Sequence, residues 1–520
     1  MGITSLASVL LGLAVLYVLK QLLSSRTNRT PLPPGPKGKF LIGNLGDLPP
    51  PGTKDWEHWA KFKESYGPIS SITILGQTIV IINDARTAFD LMEKRSAIYS
   101  SRPRMTFAGE LIGWDDITGM QPYSDSFRTY RKVIHRVLGS KATAARFNPL
   151  QEVEIRRFLL RVLDRPDDLV QHIRTEAGAV ILKIAYGYTI EPHGRDPLVD
   201  MANDAMEEFS MAATPGVWLV DTIPWLKHLP GWLPGTGFKK TAAAWRKTLL
   251  NTIERPYRFV EEQMSRGTYA PSYVASLLEE DSGQWTAEDE RVAKWTAASL
   301  YLGGADTTVS SLACFFLAIA RNPDAQRKAQ EEIDRVVGVH RLPTYADREK
   351  LPYIDALVKE TLRWHPVAPM ALPHACIQDD MYSGYRIPKG SLILPNIWAM
   401  THDPAVYPDP MEFRPERFLG PTPELNPHTL SFGFGRRICP GKLLADNTIF
   451  LSIVQSLAVF NVSKLEGTGE ETGFLPGVVS HPEPFQLRVR PRSEAHETLI
   501  RTVEAEHPWE ESHAKEIEKV

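Results

Sequence analysis

Cysteine is scarce in this chain, with three in 520 residues, Cys314, Cys376 and Cys439. They lie far apart with no Cys-x-x-Cys or Cys/His spacing, so neither a disulfide framework nor a structural zinc site is expected. Charge of one sign is also lacking: 59 Lys and Arg stand against 62 Asp and Glu, a net of -3. Such a balance gives no reason to expect nucleic acid as a partner. No flavin or nicotinamide fingerprint occurs either. What remains is an ordinary globular composition, 43% hydrophobic and 23% charged, with nothing in it that marks a domain boundary.

The N-terminus carries a long apolar run. Residues 3–19 contain no charge, and Lys20, Arg26 and Arg29 follow. The run is near the lower limit of about 17 residues for a spanning helix, and cations on its C-terminal flank place the rest of the chain on the cytoplasmic side. A cleaved signal peptide is the alternative, but the basic leader and the Ala-x-Ala site are missing. The expected organisation is a membrane anchor at 1–23, a proline-rich linker at 24–38, a catalytic body at 39–492 and a charged tail at 493–520. The sequons at Asn28 and Asn461 would then stay unmodified.

In the linker, Pro31-Leu32-Pro33-Pro34-Gly35-Pro36 cannot be helix, and reads as a stiff extended connector between anchor and body. Residues 70–83 alternate and are rich in Ile and Val, which predicts a hairpin around Gly76-Gln77. Most of the remainder has helical periodicity, so the fold class is mainly α with a minor β-sheet. Residues 209–236 are rich in Pro, Gly and Trp; tryptophan favours a membrane interface, the alternative being a packed core loop. The tail holds eight glutamates against Arg501, Lys515 and Lys519, and reads as solvated and mobile.

Two segments carry chemistry. Residues 286–321 predict one long helix, opened by a Thr286-x-x-Asp289 capping box and stopped by Asn322-Pro323. In its middle lies Gly303-Gly304-Ala305-Asp306-Thr307-Thr308. Two glycines inside a helix cost about 1 kcal/mol each relative to alanine, so the close approach of a flat ligand is a reason for them. The Thr307 hydroxyl can capture the Gly303 carbonyl four residues back, and Asp306 places an acid beside it. Such a pair can pass protons to reduced dioxygen. The second segment is Phe432-Gly433-Phe434-Gly435-Arg436-Arg437-Ile438-Cys439-Pro440-Gly441, directly before a helical run. It puts the Cys439 sulfur at a helix N-terminus among Arg436, Arg437 and Lys442, conditions that favour a thiolate and hence an axial metal ligand. A lone Cys-Pro-Gly would more often be a free cysteine in a turn; the ten-residue pattern reverses the odds.

With these motifs the chain resembles the cytochrome P450 family from about residue 31 to about residue 490. The resemblance implies the P450 fold behind a transmembrane helix and a haem b cofactor, iron protoporphyrin IX. Cys439 would be the metal ligand, with Phe432, Gly435 and Gly441 in the cofactor-binding loop and Asp306 and Thr307 catalytic. It further implies that Arg437, Arg131 and His374 meet the haem propionates, and that Glu360, Arg363 and Arg417 form a structural triad. The chain departs from the commonest pattern at Phe127, where the family usually has tryptophan. A basic group, Arg128, Arg131, Lys132, His135, Arg136 and Lys141, is expected on one helix, its outer members joining Arg436 and Lys442 to receive an NADPH-cytochrome P450 reductase. The wording is similar to fungal enzymes of secondary metabolism in the endoplasmic reticulum membrane. It implies a lipophilic substrate, first a terpenoid or similar polycycle and second an aromatic or indolic compound. The pocket would be lined by residues 105–120, 209–218, 298–305, 367–372 and 476–481. An isomerase or dehydratase that needs no O2, or a haem sensor or carrier, are the alternatives; the acid and alcohol of Asp306 and Thr307 count against both.

Overall fold

The computed structural model describes residues 30–50, 52–214, 216–280, 285–465 and 472–519. The expected anchor at 1–23 and the first residues of the linker lie outside them.

A helix apolar on every side is stable only when enclosed, and Ala287–Arg321 is the longest such segment. At 1.5 Å per residue its 35 residues span about 52 Å. Its start is the capping box read from the sequence: Thr286 Oγ1 accepts from the Asp289 N–H at 3.2 Å, and Asp289 Oδ2 accepts from the Thr286 N–H at 3.1 Å.

Around it the longer helices are α1 (Asp55–Tyr66), α2 (Asp125–Leu138), α3 (Asn148–Asp164), α4 (Leu169–Tyr186), α5 (Pro197–Ala212), α6 (Phe238–Arg266), α7 (the Ala287–Arg321 helix), α8 (Pro323–Val336), α9 (Pro352–Trp364), α10 (Lys442–Val459) and α11 (Glu494–Glu506). The first half of α7, including Ala298 and Ala305, belongs to a core built with α4, α5 and α6. Its second half, from Val309 to Ala320, belongs to a core built with α3, α8, α9 and α10. Both α7 and α10 are long and apolar enough to cross a membrane, but they are largely buried within the protein and are core helices.

The expected hairpin forms. β1 (Ile69–Ile74) pairs antiparallel with β2 (Gln77–Ile82), and the turn runs through Leu75 and Gly76, both at positive φ. With β3 (His374–Ala375) and β6 (Leu392–Pro395) they make a sheet in the order β1-β2-β6-β3. The strand β2 is parallel to β6 and buried along almost its whole length, as a central strand must be. Two small ribbons complete the β structure, β4 (Asp380–Tyr382) with β5 (Tyr385–Ile387) and β7 (Phe460–Lys464) with β8 (Leu487–Pro491).

Two expectations, on Lys141 and on the tail, need correction. The described part of the proline-rich linker is tied to the body: the Pro34 carbonyl accepts from Ser71 N–H at 2.8 Å, Pro33 O from Ser71 Oγ at 2.6 Å and Pro31 O from Arg386 N–H at 2.8 Å. A chain without N–H groups can still offer carbonyls to a sheet edge, and this one does. Lys141 is not on α2, which ends at Leu138; it opens a short helix capped by Ser140. The tail is not a solvated appendage. Helix α11 packs on α3 with Ile500 and Val503 buried, and Ile517 is buried in the core beside α6. Between them Trp509 lies under the guanidinium groups of Arg157 and Arg161 at 5.5 and 5.0 Å, and Glu510 pairs with Lys183 at 2.5 Å. The glutamates face solvent and basic side chains, while the few apolar residues recur at helical spacing and face inward.

If the tail is part of the fold, Ile500→Ala, which empties a fully buried position, should cost about 2–5 kcal/mol. It should lower the thermal unfolding midpoint, and the exposed Glu504→Ala should not. Calorimetry that finds both variants at the wild-type midpoint would return residues 493–520 to the status of an appendage.

Candidate active site

The loop before α10 is folded by its own backbone. Cys439 N–H donates to the Phe432 carbonyl at 2.8 Å and Arg437 N–H to the Phe434 carbonyl at 2.9 Å. Gly435 sits at φ +49°, and a Cβ there would lie 2.6 Å from the Met92 carbonyl oxygen, so no larger residue fits. Gly441 caps α10, and its N–H bonds to the Cys439 sulfur. Burial pushes the Cys439 thiol up, while the Gly441 N–H, Arg131 and Lys442 pull it down. The expected stabilisation of thiolate is therefore present but does not outweigh desolvation in the protein alone. A metal cation on the sulfur supplies the missing term. The Cys439 side chain nevertheless keeps open surface, unlike the buried Cys314 and Cys376.

The loop itself hangs on a buried ion-pair group. Glu360 takes Arg363 at 2.7 Å and Arg417 at 3.3 Å, with all three side chains wholly buried, and accepts Arg414 N–H at 2.7 Å. Arg363 donates onward to the Thr401, Pro410 and Glu412 carbonyls. The triad thus fixes the irregular stretch that leads into the Cys439 loop.

On the opposite side α7 offers Gly303, Asp306 and Thr307. Thr307 Oγ1 donates to the Gly303 carbonyl at 2.7 Å, the bond read from the spacing. The two glycines have different reasons. A Cβ on Gly303 would meet no atom within 4 Å, whereas one on Gly304 would lie 2.9 Å from Ile181 of α4. Gly303 therefore leaves open surface on α7; Gly304 permits helix packing, a cause that only the tertiary structure reveals. Asp306 pairs with His481 at 3.0 Å, a partner the sequence reading did not assign.

Arg437, Arg131 and His374 are brought to one region, and a further guanidinium group joins them. Arg102, absent from the sequence reading, is buried and donates to the Gly119, Leu372 and Pro373 carbonyls. Arg437 donates to Ser100 and Gln121 carbonyls at 2.6 Å each and lies 3.8 Å over the Phe127 ring. Phenylalanine at 127 thus supplies a cation–π platform in place of an indole donor. Burial, then repulsion from Arg131, brings Arg437 down to about 9; burial and Arg437 likewise hold Arg102 well below the usual range. Arg131 is lowered by burial and raised by Cys439, so it stands on the sulfur's side. No carboxylate pairs with Arg102, Arg131 or Arg437 among the described residues. His374 is buried and held neutral by desolvation and by Arg102; its Nδ1 is 2.7 Å from the Tyr99 carbonyl, so that nitrogen carries the proton. Its Nε2 can then reach a carboxylate only after gaining a second proton, which makes it the weakest of the four. A dianionic, flat macrocycle with a metal that takes sulfur fits this set: open sulfur, open Gly303 face and buried cations without counter-ions.

The five segments expected to line the pocket each contribute to one apolar core cluster. Phe107, Ile117, Phe209, Ala298, Leu302 and Ala305 lie in it, with Trp218, Leu372 and Val478 packed against it.

The sequence matches the family model for Cytochrome P450 over residues 33–489. It is 47% identical to cytochrome P450 monooxygenase claR of Ampulloclitocybe clavipes over 97% of this chain and 94% of that protein. Identity is also 47% to cytochrome P450 monooxygenase ppsD of Aspergillus oryzae, over 98% of each chain, and 45% to O-methylsterigmatocystin oxidoreductase of Aspergillus flavus, over 99% and 97%. The chain belongs to the cytochrome P450 family. It is a haem-thiolate oxidoreductase of the monooxygenase type, and its cofactor is protoporphyrin IX haem.

If the buried cations hold the propionates, Arg102→Ala should reduce haem retention about tenfold or more, the worth of one or two charge-assisted hydrogen bonds. The exposed neighbour Arg104→Ala should keep wild-type haem content by pyridine haemochrome assay. Equal retention in both variants would remove Arg102 from the cofactor site.

Proposed function

We propose that this P450 is a membrane-anchored monooxygenase of secondary metabolism that inserts one oxygen atom of O2 into a lipophilic polycycle. A terpenoid skeleton is the first candidate, and an aromatic or indolic compound the second. Electrons come from an NADPH-dependent P450 reductase. The observation that carries the reading is the Thr307 to Gly303 hydrogen bond at the open face of α7, with the acid Asp306 beside it. A carrier or an isomerase has no use for that pair.

The overall balance is substrate RH, O2, two electrons and two protons to ROH and water. Bound haem supplies the redox chemistry that activates O2; the protein must supply the protons and the dry site. The Thr307 hydroxyl spends its hydrogen on the Gly303 carbonyl and keeps its lone pairs to accept a donor, so it can hold one end of a proton chain next to the open face. Asp306 stands one residue away, its carboxylate half enclosed and fixed by His481. The aromatic and aliphatic walls exclude bulk water and favour a substrate with few polar groups. Trp114 and Phe209, 4.4 Å apart between ring centroids, suit a flat or fused-ring skeleton. The printed name of the Aspergillus flavus relative, O-methylsterigmatocystin oxidoreductase, supports a polycyclic substrate.

Electron entry is proposed on the sulfur side. Arg131 of α2 interacts with Cys439, and Arg128, Lys132, His135 and Arg136 of the same helix are exposed. A basic face there is the shortest approach for an acidic reductase. Membrane contact is proposed at the opposite rim. Phe40, Trp225 and Trp232 are 75%, 66% and 80% exposed, and exposed large apolar side chains of this kind suit a bilayer interface. Trp218 is not part of this patch: it stacks on Phe107 at 3.6 Å inside the fold, which divides residues 209–236 between the two readings made from the sequence. The proposed location is the endoplasmic reticulum membrane with the catalytic body cytoplasmic.

The test is Thr307→Ala, assayed with reductase and the extract or candidate polycycles that the wild-type protein converts. Product should fall by roughly 10²-fold or more, since general acid–base catalysis contributes about 10²–10⁴-fold. NADPH oxidation should persist, with its electrons recovered as hydrogen peroxide. Wild-type product per NADPH in this variant would withdraw Thr307 from oxygen activation.

A further inference from the structure

We propose that His481 is the residue through which protons reach Asp306, so that the loop at 473–483 carries the outer link of the proton path to Thr307. This rests on the reading of Asp306 and Thr307 given above.

His481 Nε2 lies 3.0 Å from Asp306 Oδ1, and the imidazole is the more exposed member, at 22% against 14%. The outer link of a proton path must keep open surface of its own, and the imidazole keeps more than the carboxylate. No other ion-pair partner of Asp306 is found among the described residues. The loop that presents His481 is fixed on three sides. Ser310 Oγ of α7 donates to the Ser480 carbonyl at 2.6 Å, and Ser480 N–H donates to the Val367 carbonyl at 2.8 Å. Ser480 Oγ lies 2.8 Å from His365 Nε2. Leu475 N–H closes the loop on the His481 carbonyl at 2.8 Å, and Phe474 stacks on His365 at 3.6 Å. The ring is therefore held at the carboxylate by backbone that has little freedom.

An imidazole has one nitrogen for each side of such a path. Protonated His481 gives its Nε2 proton to Asp306 Oδ1, leaving a neutral ring and a neutral acid. Asp306 passes that proton toward Thr307, and the neutral ring, which keeps its Nδ1 proton, turns so that its bare Nε2 takes the next proton from solvent. One proton enters for each that leaves, and both groups return to their starting state. The same loop carries Val478 and Val479, which anchor it to the apolar core that includes Ala298 and Ala305 of α7.

The experiment uses haem-loaded protein with cumene hydroperoxide as oxidant and guaiacol as reductant, so neither the natural substrate nor the reductase is needed. Heterolytic cleavage takes two electrons from guaiacol and two protons, and gives 2-phenyl-2-propanol and water. Homolytic cleavage gives a cumyloxyl radical, which loses a methyl radical to form acetophenone. A protonated path favours the alcohol. His481→Gln and Asp306→Asn should each lower the alcohol to acetophenone ratio roughly tenfold or more, and the double variant no further. The wild-type ratio should change in D2O, and the His481→Gln ratio should not. His481→Asn serves as a second variant with a shorter side chain. As a measurement independent of turnover, amide exchange in residues 473–483 should quicken equally in the two single variants, since both release the same contact. Quickened exchange with a wild-type ratio and isotope effect in His481→Gln would make the pair a loop fastener and overturn the proposal. A wild-type ratio in Asp306→Asn and Thr307→Ala would remove the reading beneath it as well.

Discussion

Two buried guanidinium groups, Arg102 and Arg437, and the half-buried Arg131 stand close to one another, with no carboxylate paired to them among the described residues and a cysteine sulfur beside Arg131. Burying like charges without counter-ions is among the most costly arrangements a protein can hold. Backbone carbonyls of residues 100–121 and 372–373 solvate Arg102 and Arg437 in part, and the propionates of haem would supply the negative charge. The metal would in turn take the thiolate that burial alone disfavours. On this account cofactor and protein each neutralise what the other cannot leave bare.

Such a site needs a frame that does not yield. The Glu360, Arg363 and Arg417 group, entirely enclosed, ties α9 to the stretch ahead of the Cys439 loop through several backbone carbonyls. Helix α7 is the other rigid member, and its two halves belong to two cores. Because it is locked at both ends, its middle can carry Gly303 and a hydroxyl turned back on the backbone without loss of the fold. The C-terminal segment adds to the frame by laying Trp509 and Ile517 across α3, α4 and α6.

Local patterns were legible in the sequence. The capping box at Thr286, the hairpin before Gln77, the Thr307 bond to Gly303 and the Cys439 loop depend on residues within a few positions, and each was read from spacing. The long-range causes were not. Gly304 answers to Ile181 of another helix; Asp306 answers to His481, far along the chain; and Arg102 carries no local mark beyond the Ser101 and Pro103 around it. The tail was misread because counting glutamates hides the inward face formed by Ile500, Val503 and Ile517. Composition averages over faces, and packing does not.

The central claim is that Cys439, deprotonated, is the axial ligand of a haem held by those buried cations. Its most direct test is the absorption spectrum of the reduced protein under carbon monoxide. A thiolate opposite the gas gives a strongly red-shifted Soret band, which the freshly prepared wild-type protein should show and Cys439→Ser should lack. A wild-type band at the unshifted position of a histidine-ligated carbonyl would contradict the account.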